Sequence, residues 1–495
     1  MVRGFKKVAA VGAGVIGAGW IARFLLDGLD VDVHDPSPGA EAAVAHALAN
    51  SERAWRKLTM APLPAPGRLG FRSSVAEAVA DADYVQESAP ERLDLKRRLL
   101  GEILAAAPAT TPVGSSTSGF TPTALREGLG PGGARVFVAH PFNPVYLLPL
   151  VEIVAGDGAD ETAVARAEGF LADLGMKPLR IAKEIDAHVA DRLLEAVWRE
   201  GLWLVKDGVA TTGEIDDAIR FGFGLRWAQM GLFETYRIAG GAAGMRHFLA
   251  QFGPALKWPW TKLMDVPDLD DALVERIAAQ SDAQAAGRTI AELETKRDDN
   301  LVGILLALKA NDWGAGATLK AREALLFDRA HADAAVAAFA PGKPWTSLVC
   351  RAREDWADYN GHMTESRYLQ AFGDATDAFL RAIGMDGAYV AAGRSVYTVE
   401  THIRHLRETK IGETLRVTTA LLGHDSKRAR IVHEMRAGDS PAPVATAEHM
   451  LLHVDAKAGK AAPFGETLAR GLERLAAAQG DPPKPDWAGR GIAGP

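Results

Sequence analysis

Apolar positions in the first 180 residues come in short runs separated by longer stretches of helical spacing. The runs Val8–Val11, Val31–His34, Tyr84–Ser88, Val136–Ala139 and Val151–Val154 are rich in β-branched or aromatic residues, whereas Val15–Gly28 and Arg92–Ala106 repeat at three to four residues. Strands buried on both faces read as near-continuous apolar runs, so this alternation predicts an α/β domain over 1–182, a mostly parallel sheet covered on both sides. Helical periodicity alone fills Asp186 to about Asp328, which predicts an all-α second domain over 183–335. The turn-forming stretch Phe339-Ala-Pro-Gly-Lys-Pro-Trp345 then marks a linker at 336–344. Beyond it come a strand-like Thr346–Arg353, a helix Thr364–Ile383 and four long β-type runs: Arg394–Leu406, Glu413–His424, Lys427–Ala437 and Val444–Val454. They predict an α+β module over 345–480. The proline-rich tail, 481–495, is expected to be disordered.

Composition narrows the function classes. The 495 residues carry 56 Lys and Arg against 63 Asp and Glu, a formal charge of −7, which gives no basic face for nucleic acid. The single cysteine, Cys350, excludes a disulfide framework and a cysteine-rich metal site, and fits a reducing cytoplasm. Lys6-Lys7 before the apolar run Val8–Gly19 has the outline of an export signal, but Gly12, Gly14, Gly17 and Gly19 weaken such a helix. Other apolar runs fall short of the ~20 residues a membrane span needs, so no membrane partner is expected.

The same glycines are the first chemical signal. Gly12-Ala13-Gly14-Val15-Ile16-Gly17 follows a strand and opens a helix. The first glycine permits the tight turn, the second lets the backbone approach a pyrophosphate, the third lets helix and strand pack, and the helix N-terminus favours the phosphate charge. This is the Rossmann arrangement. Asp35 ends the next strand, where a carboxylate accepts from ribose hydroxyls and repels a 2′-phosphate, favouring NAD over NADP. A ligand-free turn and FAD are the alternatives.

The second signal is His140, in Val138-Ala-His-Pro-Phe142-Asn143-Pro, at the C-terminal end of a predicted strand, the edge where open α/β sheets bind ligands. A neutral imidazole there takes a hydroxyl proton while hydride leaves the same carbon. Glu152, in the apolar strand Leu150–Val154, needs a partner, and pairing with His140 would fix the imidazole's tautomer. Ser115–Ser118 offers hydroxyls for a substrate oxygen; the bland alternative for His140 is a core histidine before a turn.

Together, Gly12–Gly17, Ser116-Thr-Ser118, His140-Pro-Phe-Asn-Pro and Leu150-Val-Glu152 resemble the 3-hydroxyacyl-CoA dehydrogenase superfamily over about residues 5–315. The resemblance implies a helical dimerisation domain, hence a homodimer. It also implies a catalytic His140–Glu152 pair, Ser118 on the substrate, and Glu91 and Lys96 at the cofactor. The superfamily usually has asparagine before the arginine at the start of the first long helix of its second domain; here Asp191 precedes Arg192. A carboxylate there suits a cationic substrate; an aspartate merely paired at a helix end is the alternative.

Trp198, Trp203, Trp227, Trp258 and Trp260, with Phe142 and Tyr236, are candidates to hold a quaternary ammonium group by cation–π contact. Phe223–Gly231, which contains Trp227, resembles the substrate-domain signature of the superfamily's L-carnitine dehydrogenases. Asn143, Asp191, Phe142 and Trp227 are the substrate candidates.

In the C-terminal module, Asp358 lies in the polar loop Glu354–Met363 before the long helix, where a carboxylate could attack a thioester carbonyl or activate water. A strand, an Asp-x-x-Gly-His loop, one helix and a strand meander resemble hotdog-fold acyl-CoA thioesterases of the 4-hydroxybenzoyl-CoA type over about 345–455. The resemblance makes Asp358 the catalytic carboxylate, with Asn360, Gly361, His362 and Glu365 around it and Glu400 or His402 as further contributors. His402, His405, His449 and His453 sit on strands without supporting ligands, so no metal is expected.

The expected chain is thus an α/β Rossmann domain, an all-α second domain and a C-terminal α+β hotdog domain. The fusion resembles bacterial proteins of carnitine catabolism, which implies NAD-dependent oxidation of L-carnitine and hydrolysis of betainyl-CoA. A 3-hydroxyacyl-CoA dehydrogenase with a fatty-acyl thioesterase, and a non-catalytic protein, are the competing readings.

Overall fold

The computed structural model describes residues 4–239, 244–252, 254, 261–262, 268, 270–333, 345–385, 387–480 and 484–489. By its internal contacts the chain forms two units, one of residues 1–54 and 65–322, the other of 55–64 and 323–495.

The first unit is built on an eight-stranded sheet, β1 (Lys7–Val11), β2 (Asp30–His34), β3 (Leu69–Phe71), β4 (Tyr84–Glu87), β5 (Val113–Ser115), β6 (Val136–Pro141), β7 (Leu150–Val154) and β8 (Lys177–Ile181), in the order β3-β2-β1-β4-β5-β6-β7-β8. Every pairing is parallel except β6 with β7. Val31, Val33, Val85, Val136, Phe137 and Val138 are essentially inaccessible, as expected of strands covered on both faces. On one face the helix Val15–Leu26 buries Trp20, Phe24 and Leu25 in a cluster with Phe5, Tyr84 and Phe170. On the other, the helix Leu93–Ala106 seats Leu100 and Ile103 against Val85 and Val113. The short strands β3 and β5 carry too few residues to show a period.

Helices follow from residue 190: Ala190–Lys206, Thr212–Ala218, Gly224–Ala239, Gly244–Phe252, Asp271–Ala285, Ile290–Ala310 and Ala315–Asp333. The expected all-α character holds over the described residues. The linker expected at 336–344 lies outside them.

In the second unit β9 (Trp345–Arg351), β10 (Arg394–His405), β11 (Thr414–His424), β12 (Arg428–Ala437), β13 (Ala445–Asp455) and the short β14 (Lys460–Ala461) form an antiparallel sheet, order β10-β13-β12-β11-β9, with β14 on β13. The helix Glu365–Ala382 lays Tyr368, Ala371, Phe372 and Ala375 on this sheet, against Leu415, Val417 and Met435. A second helix, Glu466–Gln479, adds Leu468, Leu472 and Leu475. One long helix wrapped by a meander is the hotdog arrangement. Of the tail expected to be disordered, residues 484–489 are described and packed: Ala488 is buried, and with Trp487 it packs on Ala420 and Val432, while Gly489 N–H donates to Glu448; residues 481–483 and 490–495 lie outside the described residues. Proline content concealed the apolar Trp487.

Candidate active sites

The glycine turn has the shape its sequence implies. Gly12 has φ +100°, and a Cβ there would fall 2.6 Å from the Ser88 backbone; a Cβ on Gly17 would meet the Gly12 carbonyl at 2.1 Å. Nothing lies within 4 Å of a Cβ built on Gly14, which caps the helix with no side-chain bond. That open space and the uncapped amides fit a pyrophosphate. Asp35 accepts from the N–H of Ala13 at 2.6 Å and of Ser37 at 2.7 Å, so its carboxylate is fixed at the end of β2. A cavity of about 900 Å³ runs over Gly12, Gly14, Val15, Ile16 and Asp35, enough for a dinucleotide.

The two residues expected at the cofactor, Lys96 and Glu91, hold the loop that places Ser88, Ala89 and Pro90 on the wall of that cavity. Lys96 is buried and gives its ammonium to Glu87 at 2.9 and 3.2 Å and to the Ala89 carbonyl at 3.0 Å. It therefore braces the 87–91 loop from beneath. Glu91 accepts from Thr117 and from Gly119 N–H, tying that loop to the serine segment. Glu87 was not singled out, although a carboxylate in the apolar run Tyr84–Ser88 is the same signal that marked Glu152.

His140 and Glu152 face each other because β6 and β7 run antiparallel with these two residues as register partners. The His140 Nδ1 to Glu152 Oε2 distance is 3.0 Å. The other carboxylate oxygen, Oε1, accepts from the N–H of Val189 at 3.0 Å and of Ala190 at 2.9 Å, at the start of the helix Ala190–Lys206. Burial pushes Glu152 up, but His140 and the two amides outweigh it and hold the carboxyl below its ordinary range. A fixed anion at Nδ1 demands a proton there, which leaves Nε2 as the basic nitrogen. Asp191 Oδ2 lies 3.7 Å from that Nε2. Burial, partly offset by His140, raises the Asp191 carboxyl.

Around this dyad the Phe142 ring stands 4.8 Å from the His140 ring. His188, missed in the sequence, is buried 5.7 Å from His140, with Nε2 donating to the Thr117 carbonyl at 3.3 Å. Ser116 is committed to Trp20, Gln86 and Ser88, whereas Ser118 lies half-buried just past β5. Asn143 is exposed and precedes a cis Pro144. Trp227 packs at a tilt against Phe223, with ring centroids 4.6 Å apart, and remains 36% exposed, while Trp198 is 61% exposed; neither forms a cage at the dyad within the described residues. Trp258 and Trp260 lie outside them.

In the second unit, Asp358 Oδ1 accepts from the N–H of Asn360 at 2.8 Å and of His362 at 3.2 Å. Gly361, at φ +79°, closes the turn. Partial burial raises the Asp358 carboxyl, but the two amides prevail and hold it down, so it is ionised. The loop leads into the helix Glu365–Ala382, whose N-cap, Thr364, makes no side-chain capping bond, and Glu365 is exposed in its first turn. His362 borders a cavity of about 660 Å³ lined by the cations Arg407 and Lys410 together with the carboxylates Glu408, Glu413 and Asp439. Glu400 and His402 lie on the edge strand β10. His449 is taken up by Thr376, and His453 by Tyr389 and the Ala462 carbonyl.

Comparison with known proteins agrees with this division. Residues 7–185 match the 3-hydroxyacyl-CoA dehydrogenase NAD-binding domain, 188–273 its C-terminal domain, and 352–472 the thioesterase-like superfamily. A protein of Agrobacterium fabrum, described as L-carnitine dehydrogenase/betainyl-CoA thioesterase, is 60% identical over 491 residues, 98% of each chain. One of Rhizobium meliloti with the same description is 54% identical over 493 residues, again 98% of each. An L-carnitine dehydrogenase of Mesorhizobium japonicum is 59% identical over 319 residues, 64% of this chain and 88% of its own. A crystal structure of the NAD⁺-dependent 5-formyl-3-hydroxy-2-methylpyridine 4-carboxylic acid 5-dehydrogenase superposes with TM-score 0.52 at 25% identity, over 62% of this chain and 99% of that one.

Proposed function

From membership of the L-carnitine dehydrogenase/betainyl-CoA thioesterase family, to which this chain belongs, we infer that the first unit oxidises L-carnitine to 3-dehydrocarnitine with NAD and the second hydrolyses betainyl-CoA to glycine betaine and coenzyme A. The observation that carries the first reaction is the clamp on Glu152, with one oxygen on two backbone amides and the other on His140. Bound NAD⁺ supplies the hydride acceptor. His140 Nε2 takes the C3 hydroxyl proton, and Glu152 stabilises the imidazolium that forms. Ser118 holds the reacting oxygen. In carnitine the ammonium nitrogen is two bonds from C3, so a hydroxyl on Nε2 brings its methyl groups to Asp191 and the Phe142 ring.

In the second unit Asp358 activates water against the thioester carbonyl, and the uncapped helix N-terminus beyond Thr364 polarises the carbonyl oxygen.

The chain acts as a homodimer in the cytoplasm, where NAD and coenzyme A are available. Leu193, Leu194, Val197 and Trp198 form an exposed apolar face on one helix, which supports pairing with a second copy. Among the described residues no helix is long and apolar enough to cross a membrane.

The test is initial-rate NADH formation from L-carnitine against 3-hydroxybutyryl-CoA, with thiol release from betainyl-CoA assayed on the same protein. Preference for the hydroxyacyl-CoA in the first assay would overturn the carnitine reading.

A further inference from the structure

A cavity of about 510 Å³ lies within the second unit, between the end of the helix Ala315–Asp333, the start of β9 and the flank of the helix Glu365–Ala382. Phe327, Trp345 and Met60 line it, with Asp374, Asp377 and Arg381 on the long-helix wall. Asp374, Asp377 and Arg381 follow one another at three and four residues, so they share a stripe of that helix. Asp374 Oδ2 is buried without a hydrogen-bond partner among the described residues. Burial, and then the charge of Asp377, push its carboxyl up to about 6. An unpartnered carboxylate oxygen is costly to bury, so an oxygen left in this way at a cavity wall calls for a cationic ligand.

The lining narrows the class of cation. Aromatic rings and a thioether are poor partners for a metal ion and for an ammonium that must donate several hydrogen bonds. They are good partners for a cation whose surface is methyl groups, which aromatic faces attract through the ring quadrupole. Arg381 on the same wall adds a donor for a carboxylate at the other end of the ligand.

We propose that this cavity binds a small zwitterion carrying a quaternary ammonium group and a carboxylate, with the cation between Asp374 and the Trp345 and Phe327 rings and the carboxylate at Arg381. The site is separate from the thioesterase centre. Asp374 lies nine residues into the helix, about 13 Å along its axis from the end that Asp358 precedes. In betainyl-CoA the nitrogen is two bonds from the carbonyl carbon, so a thioester poised at Asp358 cannot reach the cavity. The proposal follows from the lining and does not depend on either catalytic assignment.

Calorimetric titration of the full-length protein with glycine betaine and with tetramethylammonium tests it. Both bind the wild type saturably, and Asp374→Asn weakens both about ten-fold or more. Binding persists in Asp191→Asn and Asp358→Asn, which sets the site apart from the other two. Arg381→Gln weakens glycine betaine about ten-fold and leaves tetramethylammonium unchanged. The neutral-headed isostere 3,3-dimethylbutanoate binds at least ten-fold more weakly than glycine betaine. Trp345→Leu, with lost aromatic contact and an intact carboxylate, gives an independent loss of affinity should Asp374→Asn fail to fold. Absence of binding to the wild type, or equal affinity in wild type and folded Asp374→Asn, overturns the proposal.

Discussion

Glu152→Gln tests the dehydrogenase mechanism most directly, because the structure dictates how the new amide must sit. Oε1 faces two N–H donors, Val189 and Ala190, at 3.0 and 2.9 Å. A glutamine can satisfy them only with its carbonyl oxygen, which turns its NH₂ toward His140 Nδ1. Nδ1 then has to accept, the ring proton moves to Nε2, and the nitrogen that should take the substrate proton is already protonated. Size and burial are unchanged, so the fold is retained. The same tautomer reversal in a Ser-His-Asp triad costs about 10⁴ in rate. A loss of about 10³–10⁴ in kcat is therefore expected here, or ~4–5.5 kcal/mol of barrier. The assay is NADH formation with saturating L-carnitine across a pH series. The loss persists as pH rises, because the fault is the position of a proton and not the ionisation of a group. A Glu152→Gln enzyme within ten-fold of wild type, or one recovering at high pH, would refute the argument.

Other consequences are equally accessible. Asp191→Asn raises KM for L-carnitine and lowers kcat/KM by about 10–100-fold, while a 3-hydroxy acid that lacks the ammonium group changes little, as expected when one charge contact is lost; steady-state kinetics on the two substrates separate these. Asp358→Asn lowers betainyl-CoA hydrolysis by on the order of 10²–10³-fold and leaves NADH formation intact, checked by running both assays on one preparation. The second unit also loses stability in acid. Burial pushes His433 well below its ordinary value, and His449 down to about 4. Thr376 gives its hydroxyl proton to the Phe372 carbonyl and so accepts from both rings. A folded-state pKa below the unfolded value means that the unfolded chain binds the extra proton. Stability is therefore flat above about pH 6.5 and falls between pH 6.5 and 4, by roughly 3 kcal/mol for His449 alone. Thermal unfolding at pH 7 and pH 4.5 measures it, and replacing His449 with a neutral residue should shrink the difference between the two.

Much of this was written locally. A strand's apolar run, a helix's period and a glycine turn are properties of neighbours in the chain, and Lys7–Val11, Gly12–Gly17, Asp35 and His140 stand where the pattern puts them. The partnership of His140 with Glu152 was legible because a carboxylate cannot stay unpaired in an apolar strand. What no local pattern holds is the set of contacts made across long separations. The antiparallel pairing of β6 with β7 makes the dyad a pair of register partners, and the turn at Val189 and Ala190 decides which carboxylate oxygen faces the imidazole. Glu87 turns Lys96 inward, and Ala420 and Val432 draw Trp487 out of an expected disordered tail. In each case a charge, an amide or a ring had several possible partners, and desolvation in the packed fold selected one of them.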